Sequence, residues 1–129
     1  MPWTARYNEE SQLVEAVCDG VITAEDFRAQ LQEAIALALS RDAERFLIDA
    51  RRMQCGFSVF ELVGLVESYE ELELSSSTRI AVLQPLATEA AHMMRFYETV
   101  ARNRAYDVRV FAQREAAEEW LTHGIAGRS

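Results

Sequence analysis

The residues with chemical potential gather in one stretch, LIDARRMQCGFSVFEL from Leu47 to Leu62. An apolar run leads into a carboxylate, Asp49, two guanidiniums, Arg51 and Arg52, a thiol, Cys55, and a hydroxyl, Ser58. In open α/β proteins ligands bind at the carboxyl ends of strands, and an arginine fork suits a carboxylate or a phosphate. Arg51 and Arg52 are therefore the anion-binding candidates. The competing reading is a surface network in which Asp49, Glu44 or Glu61 satisfies them. Ser58 has Glu61 three positions on, which is a capping box, and a cap of this kind contributes about 1 kcal/mol. The same place also suits a regulatory phosphate, because free amides and the macrodipole stabilise an anion at a helix amino end, with Arg51 or Arg52 as counter-ion. Cys55 stands just ahead of the cap, where a thiol can have a lowered pKa. It has no neighbouring histidine and no second cysteine at redox spacing, so it reads as a structural thiol.

Elsewhere the chemistry thins out. His92 sits in a helical pattern in which Met93, Phe96, Tyr97 and Val100 form the expected core stripe, and His123 falls in the tail. Neither has Cys, Asp or Glu at a recognised ligand spacing, so no metal site is expected. Glu67, Glu70, Glu71 and Glu73 read as a solvated helix face. A glycine-rich phosphate loop and a Gly-x-Ser-x-Gly elbow are both missing, so neither an enzyme nor a cofactor is expected.

The chain has 129 residues, half of them hydrophobic, enough for one domain with its own core. Its formal charge is -8, and all 13 basic residues are arginine, scattered along the chain. That balance disfavours nucleic acid and anionic membranes. No apolar run approaches the roughly 20 residues of a membrane span, and MPWTARYNEE lacks the basic and apolar regions of a secretory signal. Cys18 and Cys55 are read as free thiols in a reducing, bacterial-type cytoplasm.

These groups must be positioned by secondary structure. WTARYNEESQLVEAV reads as a hairpin around the polar turn Asn8 to Ser11. Asp19 and Gly20 signal a bend, and Thr23 with Asp26 caps a helix to about Ser40, with Phe27, Leu31, Ala34, Ile35 and Ala38 on its apolar face. RFLIDA, Arg45 to Ala50, is a buried central strand followed by an exit loop. Ser58 opens a helix to about Leu74, with Phe57 and Leu62 at the positions of a hydrophobic staple. Thr78 to Gln84 is a strand stopped by Pro85, Thr88 caps a helix through Arg104, and Tyr106 to Phe111 is a strand. REAAEEWL closes the chain as a short helix after Gln113, pinned to the sheet by Trp120 and Leu121. The alternation implies an α/β fold: a single domain over residues 1–122, a mostly parallel sheet of about five strands with an antiparallel N-terminal hairpin, about four helices, and a tail at 123–129.

Five segments in this order, the hairpin, DGVITAEDF, RFLIDARRM, RIAVL, and VRVF leading to REAAEEWL, resemble the STAS-type, SpoIIAA-like proteins related to bacterial anti-sigma-factor antagonists. The resemblance implies a small α/β domain without catalytic activity that acts through a partner protein. It also implies a switch serine, phosphorylated by a partner kinase, at the start of the helix after the central strand; that position is Ser58. The antagonists carry an Asp-Ser-Ser/Thr-Gly type sequence there, whereas this chain has Gly56-Phe57-Ser58-Val59-Phe60, without the Asp and the following Gly. A related branch resembles CRAL-TRIO lipid-transfer domains, which implies an apolar ligand.

The helix opened by Ser58 adds a clue. At 100° per residue Val59, Leu62, Val63, Val66 and Tyr69 share one face, widened by Leu65 and Leu72. Phe60 is left on the other side, one turn from Gly64 and among Glu67 and Glu71. Phe60 and Gly64 are therefore the candidates for docking a partner or a second copy. Two function classes follow: a regulatory or interaction domain, and a binder of a small apolar or anionic ligand.

Overall fold

The computed structural model describes residues 1–126, with side chains described through Thr122. The hairpin consists of β1 (Trp3–Asn8) and β2 (Leu13–Thr23), followed by α1 (Ala24–Arg41). Then come β3 (Arg45–Gly56), α2 (Val59–Glu67), β4 (Arg79–Leu83), α3 (Thr88–Asn103), β5 (Asp107–Phe111) and α4 (Arg114–Ala126). The five strands lie in chain order, with β1 antiparallel to β2 and every other neighbour parallel. This is the α/β arrangement expected from the alternation of strands and helices.

The sheet has a helical layer on each side. The larger core joins alternate residues of the strands, such as Val14, Ile48, Val82 and Val108, to the apolar faces of α1, α2 and α3. The smaller one, Leu13, Leu47, Ala81, Leu83, Ala117 and Leu121, lies under α4. Phe111 meets Trp120 at 5.5 Å, and the guanidiniums of Arg79 and Arg109 stand 5.1 and 5.0 Å from the Trp120 ring, which fixes α4 to β4 and β5. α2 packs between α1 and α3. Beneath it an aromatic row runs from Phe57 over Phe27 to Tyr97, whose hydroxyl meets that of Tyr69, and on to Tyr106.

Several boundaries differ from expectation for physical reasons. β2 does not stop at Asp19 and Gly20. It continues to Thr23 with an irregularity between Val17 and Asp19, and Gly20 adopts φ 111°, which only glycine takes without strain. β3 matches that length and runs to Gly56, because Asp19 to Thr23 supply it with a partner over Arg52 to Gly56. The exit loop expected after Ala50 is therefore strand. α2 ends at Glu67 instead of Leu74, and a chain of turns through Glu73, at φ 66°, brings Leu74 back into the core. α3 is capped by Ala87 without a side-chain bond, so Thr88 is its first residue and not its cap. Its buried stripe is Ala90, Met94, Tyr97 and Ala101, rotated one residue from the expected Met93, Phe96, Tyr97 and Val100. α4 extends past Leu121 to Ala126, so His123 belongs to the helix, while 127–129 of the expected tail lie outside the described residues.

Candidate functional site

The strands β2 to β5 run parallel to one another, so the amino ends of all four helices gather at one end of the sheet. The stretch from Asp49 to Phe60 crosses that end. Val17 pairs with Asp49 but Asp19 with Arg52, so β3 carries one more residue than β2 in that interval, a β-bulge. Its consequence is that Arg51 and Arg52, though consecutive, are both exposed, while Ala50 and Met53 on either side are buried. A regular strand would have turned one of the two arginines inward.

Asp49 holds Arg51 by a fork. Arg51 Nε and Nη2 donate to the two carboxylate oxygens at 3.0 and 2.8 Å, and the Arg51 backbone N–H donates to the same group at 3.1 Å. The Arg51 guanidinium keeps the Asp49 carboxyl below the usual carboxylate range, with Arg114 acting in the same direction against partial burial. Arg52 faces Asp19 at 4.0 Å. Arg51 thus has the partner that the surface-network alternative named, Asp49, while Arg52 stays exposed at 4.0 Å from Asp19, a residue that alternative did not include. Arg51 shares the α4 side of the sheet with Asp49 and Leu47, whereas α2 packs on the opposite side. Among the described residues neither arginine bonds a residue of the helix that Ser58 caps.

Ser58 and Glu61 form a complete capping box: the Ser58 N–H donates to Glu61 Oε1 at 2.9 Å and the Glu61 N–H to Ser58 Oγ at 3.1 Å. Phe57 and Leu62 are both buried in the same core cluster, as a hydrophobic staple requires. Gly56 is demanded by packing, because a Cβ there would stand 2.9 Å from the Ile22 carbonyl oxygen and 2.8 Å from Val21 Cγ1. Cys55, half-buried, donates to the Phe57 carbonyl at 3.3 Å. Burial pushes its thiol pKa up and the Glu89 and Glu61 carboxylates push the same way, so the lowering available at a helix amino end does not prevail. Cys18 is buried on Gln30 at 3.3 Å, and burial pushes it up to about 11.

Phe60 is 90% exposed, and a Cβ added at Gly64 would meet nothing within 4 Å. The sequence pattern located this surface but understated it. Val59, expected to share the buried face, is 46% exposed, and on α3 the rotated stripe leaves Phe96 37% exposed. The signal in the sequence was the spacing of Ala90, Met94, Tyr97 and Ala101, four small or inward residues that fit a helical stripe as well as the bulkier one did.

Among the described residues no group of His, Cys, Asp or Glu could hold a metal ion, and no helix is long and apolar enough to cross a membrane. A cleft of about 640 Å³ opens at the other end of the sheet, lined among others by Tyr7, Arg41, Asp42 and Arg45, and one of about 120 Å³ lies beside Leu39 and Leu74. Neither is lined by α2.

A parallel sheet with one antiparallel edge strand, three helices on one side and one on the other, and a capped helix after the central strand defines a small α/β domain with a SpoIIAA-like fold. The family model described as SpoIIAA-like matches residues 13–122, and the chain belongs to that family. Among solved structures it is similar to an uncharacterized protein with a SpoIIAA-like fold from Shewanella loihica PV-4. That similarity has a TM-score of 0.58 at 16% identity, covering 92% of this chain and 91% of the other. It is also similar to the anti-sigma factor antagonist SpoIIAA in its unphosphorylated form, with a TM-score of 0.52 at 17% identity, covering 97% and 98%. At such identities the likeness is one of fold. No curated protein matches the chain.

Proposed function

We propose that this protein is a non-enzymatic interaction domain that works by docking the amino-terminal half of α2 onto a partner protein, with Phe60 as the anchor. The observation that carries this reading is the exposure of the Phe60 ring in the first turn of the helix that follows the central strand, one turn from the bare backbone of Gly64. A large ring in water on a short helix has no folding role, and buried aromatic anchors dominate the energetics of protein interfaces. Ser58 serves this surface as the cap that holds α2 in place. The Asp and Gly neighbours of the antagonist switch are missing beside it, and Glu61 already occupies its amide. The buried, ring-to-ring packing of the aromatic core beneath α2 favours a partner on the outside over an apolar ligand within.

The test compares the native protein with Phe60→Glu by sedimentation and by partner capture from its own cells. The substitution should leave the unfolding midpoint in place, since the site is exposed, and should release the captured protein. Unchanged mass together with unchanged capture would defeat the reading.

A further inference from the structure

We propose that the outer face of α2 and α3 is a groove for a basic amphipathic helix of the partner, an inference that rests on the interaction reading above and names the chemistry of the occupant.

The apolar part of the surface belongs to two helices. Glu98 of α3 accepts the Val110 N–H of β5 at 2.7 Å, so that flank of α3 faces the sheet edge. At 100° per residue Arg95 and Arg102 lie on the same flank as Glu98, and Met93, Phe96 and Val100 lie on the opposite one, toward α2. Exposed or half-buried apolar side chains therefore line both walls: Val59, Phe60 and Val63 on α2, and Met93, Phe96 and Val100 on α3. Arg104 bonds Glu67 at 2.8 Å and ties the far ends of the two helices together. A groove between two neighbouring helices on one side of a sheet fits the apolar stripe of a third.

Charge decides the other side of the occupant. Between Arg52 and Arg79 the chain has no basic residue, yet it has Glu61, Glu67, Glu70 and Glu71, all exposed, while the exposed Glu73 turns to the cleft beside Leu39 and Leu74. Of these four only Glu67 is in an ion pair among the described residues. The exposed Glu89 adds to them at the amino end of α3. An apolar groove with an unneutralised acidic rim selects a cationic partner and repels an acidic one.

The test uses a synthetic peptide of about 18 residues, five helical turns, with leucine on one face and arginine on the other, beside a twin carrying glutamate in place of arginine. Fluorescence anisotropy should show saturable binding of the arginine peptide, weakening with salt, and none of the glutamate peptide. Phe60→Ser and Phe96→Ser, both at exposed sites, should each weaken binding about tenfold, the loss of one apolar anchor. Glu70→Lys with Glu71→Lys should erase the preference for arginine. The inference is overturned if the arginine peptide does not bind while soluble, if the glutamate peptide binds as well, if Phe60→Ser binds unchanged, or if palmitate displaces the peptide and so claims the groove for an apolar ligand. Loss of native capture by Phe60→Glu without peptide binding sinks the basic helix and leaves the interaction reading standing. Unchanged capture together with unchanged mass sinks both.

Discussion

The hydroxyls of Tyr69 and Tyr97 are hydrogen-bonded to each other in the core between the turn after α2 and the middle of α3. Both rings are fully buried, and among the described residues neither hydroxyl has another hydrogen-bond partner. A buried polar atom that loses its partner keeps its full desolvation cost of about 1–3 kcal/mol, whereas removing both members is nearly neutral. Tyr69→Phe and Tyr97→Phe should therefore each destabilise the protein by about 1–2 kcal/mol in urea unfolding. The double variant should cost less than their sum. Strict additivity would mean that the hydroxyls do not depend on one another.

The Asp49 and Arg51 fork makes a prediction about acid. The folded pKa of Asp49 is lowered from 3.8, chiefly by the hydrogen bond from Arg51. A carboxyl with a depressed folded pKa contributes stability that is present above its unfolded value and is lost as pH falls through the folded one. Stability should thus fall as pH drops below about 4, and Asp49→Asn should flatten that part of the profile while costing little extra at the acid end. Identical pH profiles for the two proteins, measured by chemical denaturation at fixed ionic strength, would rule out this contribution.

Gly56 and Gly64 should respond oppositely to alanine. At Gly56 the new methyl must push into the Ile22 carbonyl, a backbone atom, so Gly56→Ala should cost about 1–3 kcal/mol. At Gly64 the methyl enters open space on a helix, where alanine is favoured by about 0.5–1 kcal/mol. Thermal melts of the two single variants decide it, and a tolerated Gly56→Ala would show that β2 and β3 can separate at this end.

The thiols should be slow. With Cys18 at about 11 and Cys55 also raised by burial, little thiolate exists near neutrality. Labelling with a maleimide at pH 8 should modify Cys55 far more slowly than a free thiol, and Cys18 only on unfolding. Both pKa values are raised in the folded state, so their contribution is complete below the unfolded thiol value and fades as pH climbs through the folded ones. Fast modification of native Cys55 would contradict the burial found here.

What could be read directly from the residues was whatever is local. The capping boxes at Thr23 and Ser58, the staple of Phe57 and Leu62, the polar turn after Asn8 and the alternation of elements depend on neighbours a few positions apart, and each appears in the structure. The exposed Phe60 followed from helical periodicity alone. What only the tertiary structure decided is whatever needs a partner distant in the chain. Arg51 to Gly56 is strand because β2 extends to meet it, although its polar residues and its bulge break the alternating pattern of a strand. The α3 stripe is turned by one residue because it must fit against the sheet and the aromatic row, a choice between two apolar faces that spacing leaves equal. Arg51 lies on the α4 side by the alternation that Leu47 and Asp49 begin, and the bulge turns Arg52 outward as well, so two arginines only a few residues before Ser58 stand on the opposite side of the sheet from α2. Local propensity sets which elements form; pairing and packing between distant segments set which side chains share a surface.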